Sequence, residues 1–396
     1  MNICIQLKNV SKICGINRAT FIHSHKLSTK SMEQSDRAVN EAEKLVGYPT
    51  SFLNLRWLLN DEVANVAIHL KKLIGTKHPL VNTARELLLN KETPSWGLLV
   101  LLISKAGGLS NKFSKLDCDI NAGILHSQRV LAEITEMVRT SNIIHNSVLN
   151  ISSNDEFKDD LHFGNKLSLL TGDYLLSNSF KELAALKCHP VNELVSTSLR
   201  DLTEASFIEP RDSQNRPIPA SPLAKQKEPL LPHSYEKDLL KMSEVMGNVK
   251  AEWTLRHLLG GGTLLGKCCQ ASLMLADHPE ELEKAGYLFG RNIALALQIR
   301  KDISQYNSGR NGSFSLINAP LMFHIQDNPE YYENLMVDVE DDSINYNRIR
   351  NIVSRGKGIE KSLELQEEFI VNGRNALRIF PESNTKQALD NILQTI

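Results

Sequence analysis

The chain has 396 residues, with 45 Lys and Arg against 46 Asp and Glu and a formal net charge of −1. This balance argues against nucleic acid or an anionic membrane surface as the main partner, and the absence of any run of 18 apolar residues argues against a transmembrane segment. The six cysteines have no CxxC spacing, which is more typical of free thiols in a reducing compartment than of disulfides.

The first residues differ from the rest of the chain. Before Glu33 there is no acidic residue, while hydroxyl side chains are frequent and the basic residues are Lys8, Lys12, Arg18, Lys26 and Lys30. A basic, acid-free, hydroxyl-rich start is typical of a mitochondrial transit peptide, and an ordinary disordered basic tail is the alternative. We therefore assign residues 1–35 to such a segment and expect one folded domain over 36–396.

Apolar residues recur at helical spacing through most of this domain. One such helix is expected over 133–150, with Ile134, Met137 and Val138 on its buried stripe. The other segments with helical spacing are 55–74, 97–106, 164–185, 191–208, 237–277, 282–303 and 346–396. Strand alternation is almost absent and no repeat is found, so the sequence predicts an all-α globular protein.

One stretch interrupts the helical pattern. Between Pro210 and Pro232 lie six of the fourteen prolines, mixed with charged residues. Proline lacks the amide donor and restricts the residue before it, so we expect an extended insertion over about 210–234. Its role stays open between an idle linker and a loop that contacts a partner.

Two local patterns could indicate other chemistry. Gly261–Lys267 nearly spells a phosphate-binding P-loop, but Cys268 replaces the final Ser or Thr and the preceding residues have helical spacing. The acidic runs 155–160 and 338–342 could hold a hard cation, although solvated loop charge is the more ordinary interpretation. Neither pattern makes a strong site by itself.

Several short motifs follow one another in a fixed order. They are GTKHP (75–79), EMVRTSNIIHNSVLN (136–150), FGNKLSLLTGDYLL (163–176), FGRNIALALQIRKD (289–302), SLINAP (315–320) and KGIE (357–360). In combination they resemble the trans-isoprenyl diphosphate synthases, from about residue 40 to the end. The resemblance implies the isoprenoid synthase fold, with about ten or more mostly antiparallel helices around a central cavity.

The resemblance also implies where metal would bind. Active members hold two DDxxD motifs whose carboxylates bind Mg²⁺ and, through it, the diphosphate of the allylic substrate. At the first motif's place this chain has Asn146, Ser147 and Asn150. At the second motif's place it has Lys301, Asp302 and Gln305. We therefore expect no intact catalytic or metal site here, although Asp302 and Lys301 could equally be an exposed helical charge pair.

Other substrate-handling positions are altered or retained. The family's GKxxRP motif is shortened, which leaves Lys77, and His78 if protonated, to meet a phosphate. Its Lys-Thr pair is replaced by Gly261 and Gly262. The residues that match the family pattern are Lys166, Asp173 and Gln298. For each of these a packing or buried-pair role is as good an interpretation as contact with a ligand.

The resemblance therefore implies a catalytically incomplete, regulatory subunit. Its partner would be a homologous catalytic polyprenyl diphosphate synthase subunit that binds Mg²⁺, in a heterotetramer of the mitochondrial matrix. The complex would act on isoprenyl diphosphates and make the ubiquinone side chain. The alternatives are a weakly active stand-alone prenyltransferase and a prenyl-lipid-binding scaffold.

Overall fold

The structure is a computed structural model. It describes residues 28–47, 73, 76, 78–89, 94–110, 120–121, 123–151, 156–222, 245–307 and 312–396. The statements below concern these residues.

Nearly all of the regular structure is helical, which confirms the all-α prediction. The first helices are α1 Ser28–Val46, α2 Pro79–Leu89, α3 Trp96–Gly107, α4 His126–His145, α5 Lys158–Ala185, α6 His189–Ala205 and α7 Val249–His257. After a π-helix, Leu258–Gly262, follow α8 Thr263–Leu275, α9 Glu280–Ser304, α10 Ala319–Asp327, α11 Pro329–Glu340, α12 Tyr346–Val353, α13 Gly358–Leu377 and α14 Asn384–Thr395. The strands β1 Ile120–Asn121 and β2 Ile124–Leu125 form an antiparallel pair with Ile120 opposite Leu125.

The chain divides into two compact units. The first comprises Met1–Glu193, Ala271–Glu283 and Phe380–Thr395, and the second comprises Leu194–Gln270, Lys284–Ile379 and Ile396. The single domain expected over 36–396 remains a prediction.

The first unit is built on α3. Its residues 98–103 are all fully buried, as expected for a helix that is apolar on every side. Ser95 caps its start by accepting a hydrogen bond from the Leu98 amide, and Gly108 follows its end with φ 75°. Around this helix, α4 and α14 pack on α3, and α5 packs along α4.

The second unit is organised around α10. Asn318 caps this helix by accepting from the Leu321 amide, and a proline lies in its first turn. The helices α7, α11, α12 and α13 all pack on α10. The core there includes Leu321, Ile325 and Leu335, so the start of α10 is fixed on several sides.

Most of the predicted helices are confirmed, with shifts at their ends. The helix expected over 133–150 ends at His145. Within the described residues, the segment expected to be helical over 237–277 consists of α7, which starts at Val249, then the π-helix and α8. The acidic run 338–342 was expected between helices, yet residues 338–340 belong to α11. Except for Leu73, the helix expected over 55–74 lies outside the described residues.

The basic first segment is only partly described. Helix α1 begins at Ser28, inside the stretch 1–35, and Ser35 is buried, whereas residues 1–27 lie outside the described part. Among the helices that the structure describes, none is long and apolar enough to cross a membrane.

Candidate functional site

The first-motif region begins where α4 ends. Asn146 is the C-cap residue, and its backbone N–H points back to the carbonyls of Asn142 and Ile144. Asn146 and Asn150 are exposed. Ser147 is 2 % exposed, with its Oγ 2.9 Å from Thr83 Oγ1. The three residues therefore follow the helix instead of forming one face of it.

Asn165 of α5 holds this segment in place. Its Oδ1 accepts from the Leu149 amide at 2.9 Å, and its Nδ2 donates to the Leu149 carbonyl at 2.8 Å. The same Oδ1 lies 3.1 Å from His78 Nε2. The Asn165 side chain thus satisfies both backbone groups of Leu149 and also bonds to His78, the residue just before α2.

His78 is 1 % exposed. The Leu80 amide donates to its Nδ1 at 3.2 Å, so Nε2 carries the hydrogen and donates to Asn165. Burial lowers the pKa of His78, and the hydrogen bond to Asn165 opposes this only in part. These contacts describe a neutral, packed imidazole, which corrects the expectation of a protonated His78 facing a phosphate. Lys77, expected beside it, lies outside the described residues.

His145 is the last residue of α4 and lies directly on α5. Its Nε2 is 3.2 Å from Asp173 Oδ1 and 3.4 Å from the Leu169 carbonyl. A Cβ at Gly172 would lie 2.2 Å from the imidazole, so only glycine leaves room for this approach. Asp173, which matches the family pattern, thus contacts His145, and Lys166 is exposed on the same helix.

The second-motif region lies in the second unit and has Asp302 at its centre. This carboxylate is 5 % exposed and accepts three hydrogen bonds from protein donors. Trp253 Nε1 and the Ala319 amide, both at 2.9 Å, donate to Oδ2. Gln298 Nε2 donates to Oδ1 at 2.7 Å. Asp302 therefore joins α7, α9 and the start of α10.

Burial sets the electrostatics of this region. It raises the pKa of Asp302, while nearby His257 and the three donors act to lower it. Burial also lowers the pKa of His257, whose ring centroid is 4.6 Å from that of Trp253. The exposed charge pair considered for this place is therefore wrong for Asp302, although Lys301 is exposed. Gln305 turns back toward its own helix, with Nε2 3.4 Å from the Lys301 carbonyl.

Gly261 and Gly262 lie in the π-helix between α7 and α8. Because the helices α7 and α8 directly precede and follow the π-helix, whereas a P-loop follows a strand, the segment is not a P-loop. Lys267, the residue such a loop would direct at a phosphate, instead places Nζ 2.7 Å from Asp201 Oδ2 and 3.0 Å from Thr197 Oγ1.

The donor set does not suit the Mg²⁺ that the family implies. Mg²⁺ is held by anionic oxygens that remain available to it. The first-motif positions offer amides and a hydroxyl, and the carboxylate at the second already accepts from three donors. Within the described part of the chain, no three His, Cys, Asp or Glu side chains converge as a metal site would require.

The fold is that of the isoprenoid synthases. A polyprenyl synthase from Caulobacter crescentus CB15, solved with calcium and isoprenyl diphosphate, matches with a TM-score of 0.59 at 15% identity, over 92% of this chain and 96% of that one. No family model matches the chain.

The sequence relatives are more specific. The human protein named all trans-polyprenyl-diphosphate synthase PDSS2 is 33% identical over 381 residues, which is 92% of this chain and 88% of the human one. A probable mitochondrial hexaprenyl pyrophosphate synthase of Neurospora crassa is 27% identical, over 84% of this chain and 78% of its own length. The chain therefore belongs to the all-trans-polyprenyl-diphosphate synthase family, as its motif order indicated.

Sequence reasoning missed three important residues of these regions. Asn165 lies inside the motif 163–176 but nothing in its residue type singled it out, and Trp253 lies in no motif. Each makes its contacts with residues distant in the chain. Arg256 of α7 pairs with Glu252 at 3.0 Å and both side chains are buried. They are four residues apart, a spacing that is common for exposed helical pairs, so their burial could not be read from the sequence.

Proposed function

We propose that the chain is a non-catalytic, regulatory subunit of a heteromeric all-trans-polyprenyl diphosphate synthase. The complex would condense isopentenyl diphosphate with an allylic diphosphate to build the isoprenoid side chain of ubiquinone. A homologous subunit with intact DDxxD motifs would supply the catalytic residues and bind Mg²⁺. A heterotetramer in the mitochondrial matrix is part of this proposal, and the mitochondrial designation of a relative supports the location.

The main support for the proposal is that Asp302 is buried and already accepts three hydrogen bonds from the protein. Departure of diphosphate from an allylic substrate leaves a carbocation, so the negative charge that grows on the leaving group must be stabilised. The Asp302 carboxylate is buried and already accepts from Trp253, Gln298 and Ala319. These bonds stabilise the fold and leave the carboxylate poorly suited to hold a metal ion for this step. The polar first-motif segment adds no carboxylate of its own.

The role that remains for the chain is structural. Its helical scaffold is that of the family, and it would stabilise the catalytic subunit and influence the length of the product. Asn165, His78 and Asp302 support this interpretation, because each uses a position near a former substrate motif to join helices or loops. The isoprenyl diphosphates would bind in the catalytic partner.

Activity of the purified chain alone and with its partner tests the proposal. Each sample is incubated with Mg²⁺, an allylic diphosphate and radiolabelled isopentenyl diphosphate. We expect long-chain product only when the homologous DDxxD subunit is co-expressed. Turnover by the chain alone would establish the weakly active prenyltransferase instead. Failure to co-purify with any DDxxD homologue would favour the prenyl-lipid scaffold.

A matched pair of variants locates the catalytic metal. Asp302→Asn in this chain should leave the specific activity of the assembled complex unchanged, because its side chain is already engaged by three protein donors and the metal would be bound by the partner. An Asp→Asn change in the first DDxxD motif of the partner should abolish it. Equal losses from the two variants would contradict the proposed division of labour.

A further inference from the structure

Helix α7 carries two polar stripes side by side. Glu252 and Arg256 form one, and Trp253 and His257 form the other, each pair being four residues apart. Both stripes are largely buried, with Trp253 fully inaccessible and Arg256 4 % exposed. A helix of only nine residues therefore serves two separate sets of contacts.

The first stripe binds the chain on both sides of the proline-rich insertion. Arg256 Nε donates to Glu252 Oε1 at 3.0 Å, and its other nitrogens donate to the carbonyls of Ile208, Glu209 and Ile218 at 3.1, 2.8 and 3.4 Å. Glu252 also accepts from the Ala220 amide at 3.1 Å and the Gly247 amide at 3.0 Å. We call residues 208–220 together with Gly247 the insertion root.

The root is a folded element and not the extended linker expected over 210–234. Arg211 donates to the carbonyls of Ala205 and Asn215, and Asp212 accepts from the backbone and side chain of Arg216. Ile218 is 8 % exposed and packs into the core cluster with Leu321 and Ile349. Residues 210–222 of the insertion are described, and the remainder lies outside the described residues.

The second stripe binds the second-motif region. Trp253 donates to Asp302 at 2.9 Å, and His257 Nε2 lies 3.4 Å from the Ile317 carbonyl. Asp302 in turn accepts from the Ala319 amide at the start of α10. Since α7 also packs on α10, the orientation of this short helix is fixed by the root on one stripe and by Asp302 on the next.

We propose that Glu252 and Arg256 form a latch that holds the insertion root on α7 and, through this helix, couples the root to the packing around Asp302. A buried ion pair that loses one partner leaves the other charge with less compensation, and we expect α7 to shift toward a position in which water reaches that charge. Glu209 also lies near Arg256, but it belongs to the root itself and would move with it. A helix moves as a rigid body, and the shift that exposes residues 252 and 256 also displaces residues 253 and 257. The inference does not depend on whether the chain catalyses prenyl transfer.

Hydrogen exchange of the full chain tests the latch. In Glu252→Gln, the amides of Ala220 and Gly247 should exchange about tenfold faster than in the wild type, because each loses a charged acceptor. The Ala319 amide and the Trp253 indole N–H should also exchange faster, although neither contacts Glu252. The matched control is Glu368→Gln, since Glu368 pairs with Lys250 of the same helix at 2.7 Å in a half-exposed position and should change none of these rates.

Coupling is reciprocal, which provides a second measurement. Asp302→Asn should accelerate exchange at Ala220 and Gly247. If Glu252→Gln does not fold, Arg256→Lys keeps the charge but cannot reach three carbonyls, and it should give the same pattern. Unchanged root amides would overturn the latch. Faster root amides with unchanged rates at Ala319 and Trp253 would overturn the coupling.

Discussion

Trp253 donates its indole N–H to the Asp302 carboxylate across 2.9 Å, so Asp302, which the resemblance places at the second-motif position, is a structural acceptor. Trp253 is fully buried and Asp302 nearly so. The bond joins α7 to α9 in the second unit, and the Ala319 amide on the same oxygen adds α10.

Removal of the Asp302 carboxylate should therefore destabilise the protein. Asp302→Ala leaves three donors without their acceptor, and the free energy of unfolding should fall by about 3 kcal/mol. Urea denaturation measures the loss. Lys301→Ala, at an exposed neighbour, should change stability by no more than about 0.5 kcal/mol, and equal effects of the two variants would contradict the structural role of Asp302.

Acid should weaken the first unit through His78. Burial lowers the pKa of His78 in the folded state below 6.5, the ordinary value for histidine. Between that lower pKa and pH 6.5, His78 is therefore protonated to a greater extent in the unfolded state than in the folded state. The contribution of His78 to stability is thus complete above pH 6.5 and is lost as pH falls below it. Urea denaturation at about pH 7.5 and about pH 5.5 measures this loss.

His78→Asn provides the control for this pH dependence. Asn keeps an acceptor for the Leu80 amide but does not titrate. His257 and His324 have lowered pKa values in both proteins, so the difference between wild type and variant isolates His78. We expect the loss between the two pH values to be smaller in the variant. An equal loss would show that His78 does not contribute to it.

Because Gly172 has no side chain, the His145 imidazole can pack directly on the surface of α5. Gly172→Ala would place a Cβ 2.2 Å from the imidazole and should cost about 2 kcal/mol of unfolding free energy through overpacking. Gly260→Ala is the control, since a Cβ there meets nothing within 4 Å, and it should stabilise slightly because alanine favours helix. Adding His145→Ala to Gly172→Ala should recover part of the loss, and an additive double variant would contradict the steric explanation.

Lys267 should behave as a structural cation and not as a phosphate ligand. Its partner Asp201 has a side chain only 1% exposed, so Lys267→Met leaves this buried carboxylate with the longer contact to the exposed Arg200 at 3.9 Å and should cost about 2 kcal/mol. Lys250→Met breaks a pair that is about 40% exposed and should cost less than about 1 kcal/mol. Denaturation measures both losses. A rise in wild-type Tm with Mg²⁺-ATP would contradict the absence of a P-loop.

The helical nature of the chain could be predicted from its sequence because helices are local. The segments 97–106, 164–185 and 282–303 have apolar residues at helical spacing, and each forms a helix. The ends were harder, since α4 stops at His145 through contacts with residues that lie elsewhere in the chain. The helices α10 and α11 were missed, because tertiary contacts decide them more than periodicity does: Asn318 caps α10, α10 packs on α13, and α11 packs on α10.

The sequence by itself determined the family and the all-α class, since these depend on residue identity and on order along the chain. The loss of carboxylates at both motif positions is a prediction from the resemblance. Only the tertiary structure decided what the remaining residues do. It made His78 a neutral buried residue, gave Asp302 three protein donors and turned the first part of the insertion into a folded root. Burial and hydrogen-bond partners come from segments far apart in the chain, and these set whether a charged group faces water, a ligand or the protein's own amides.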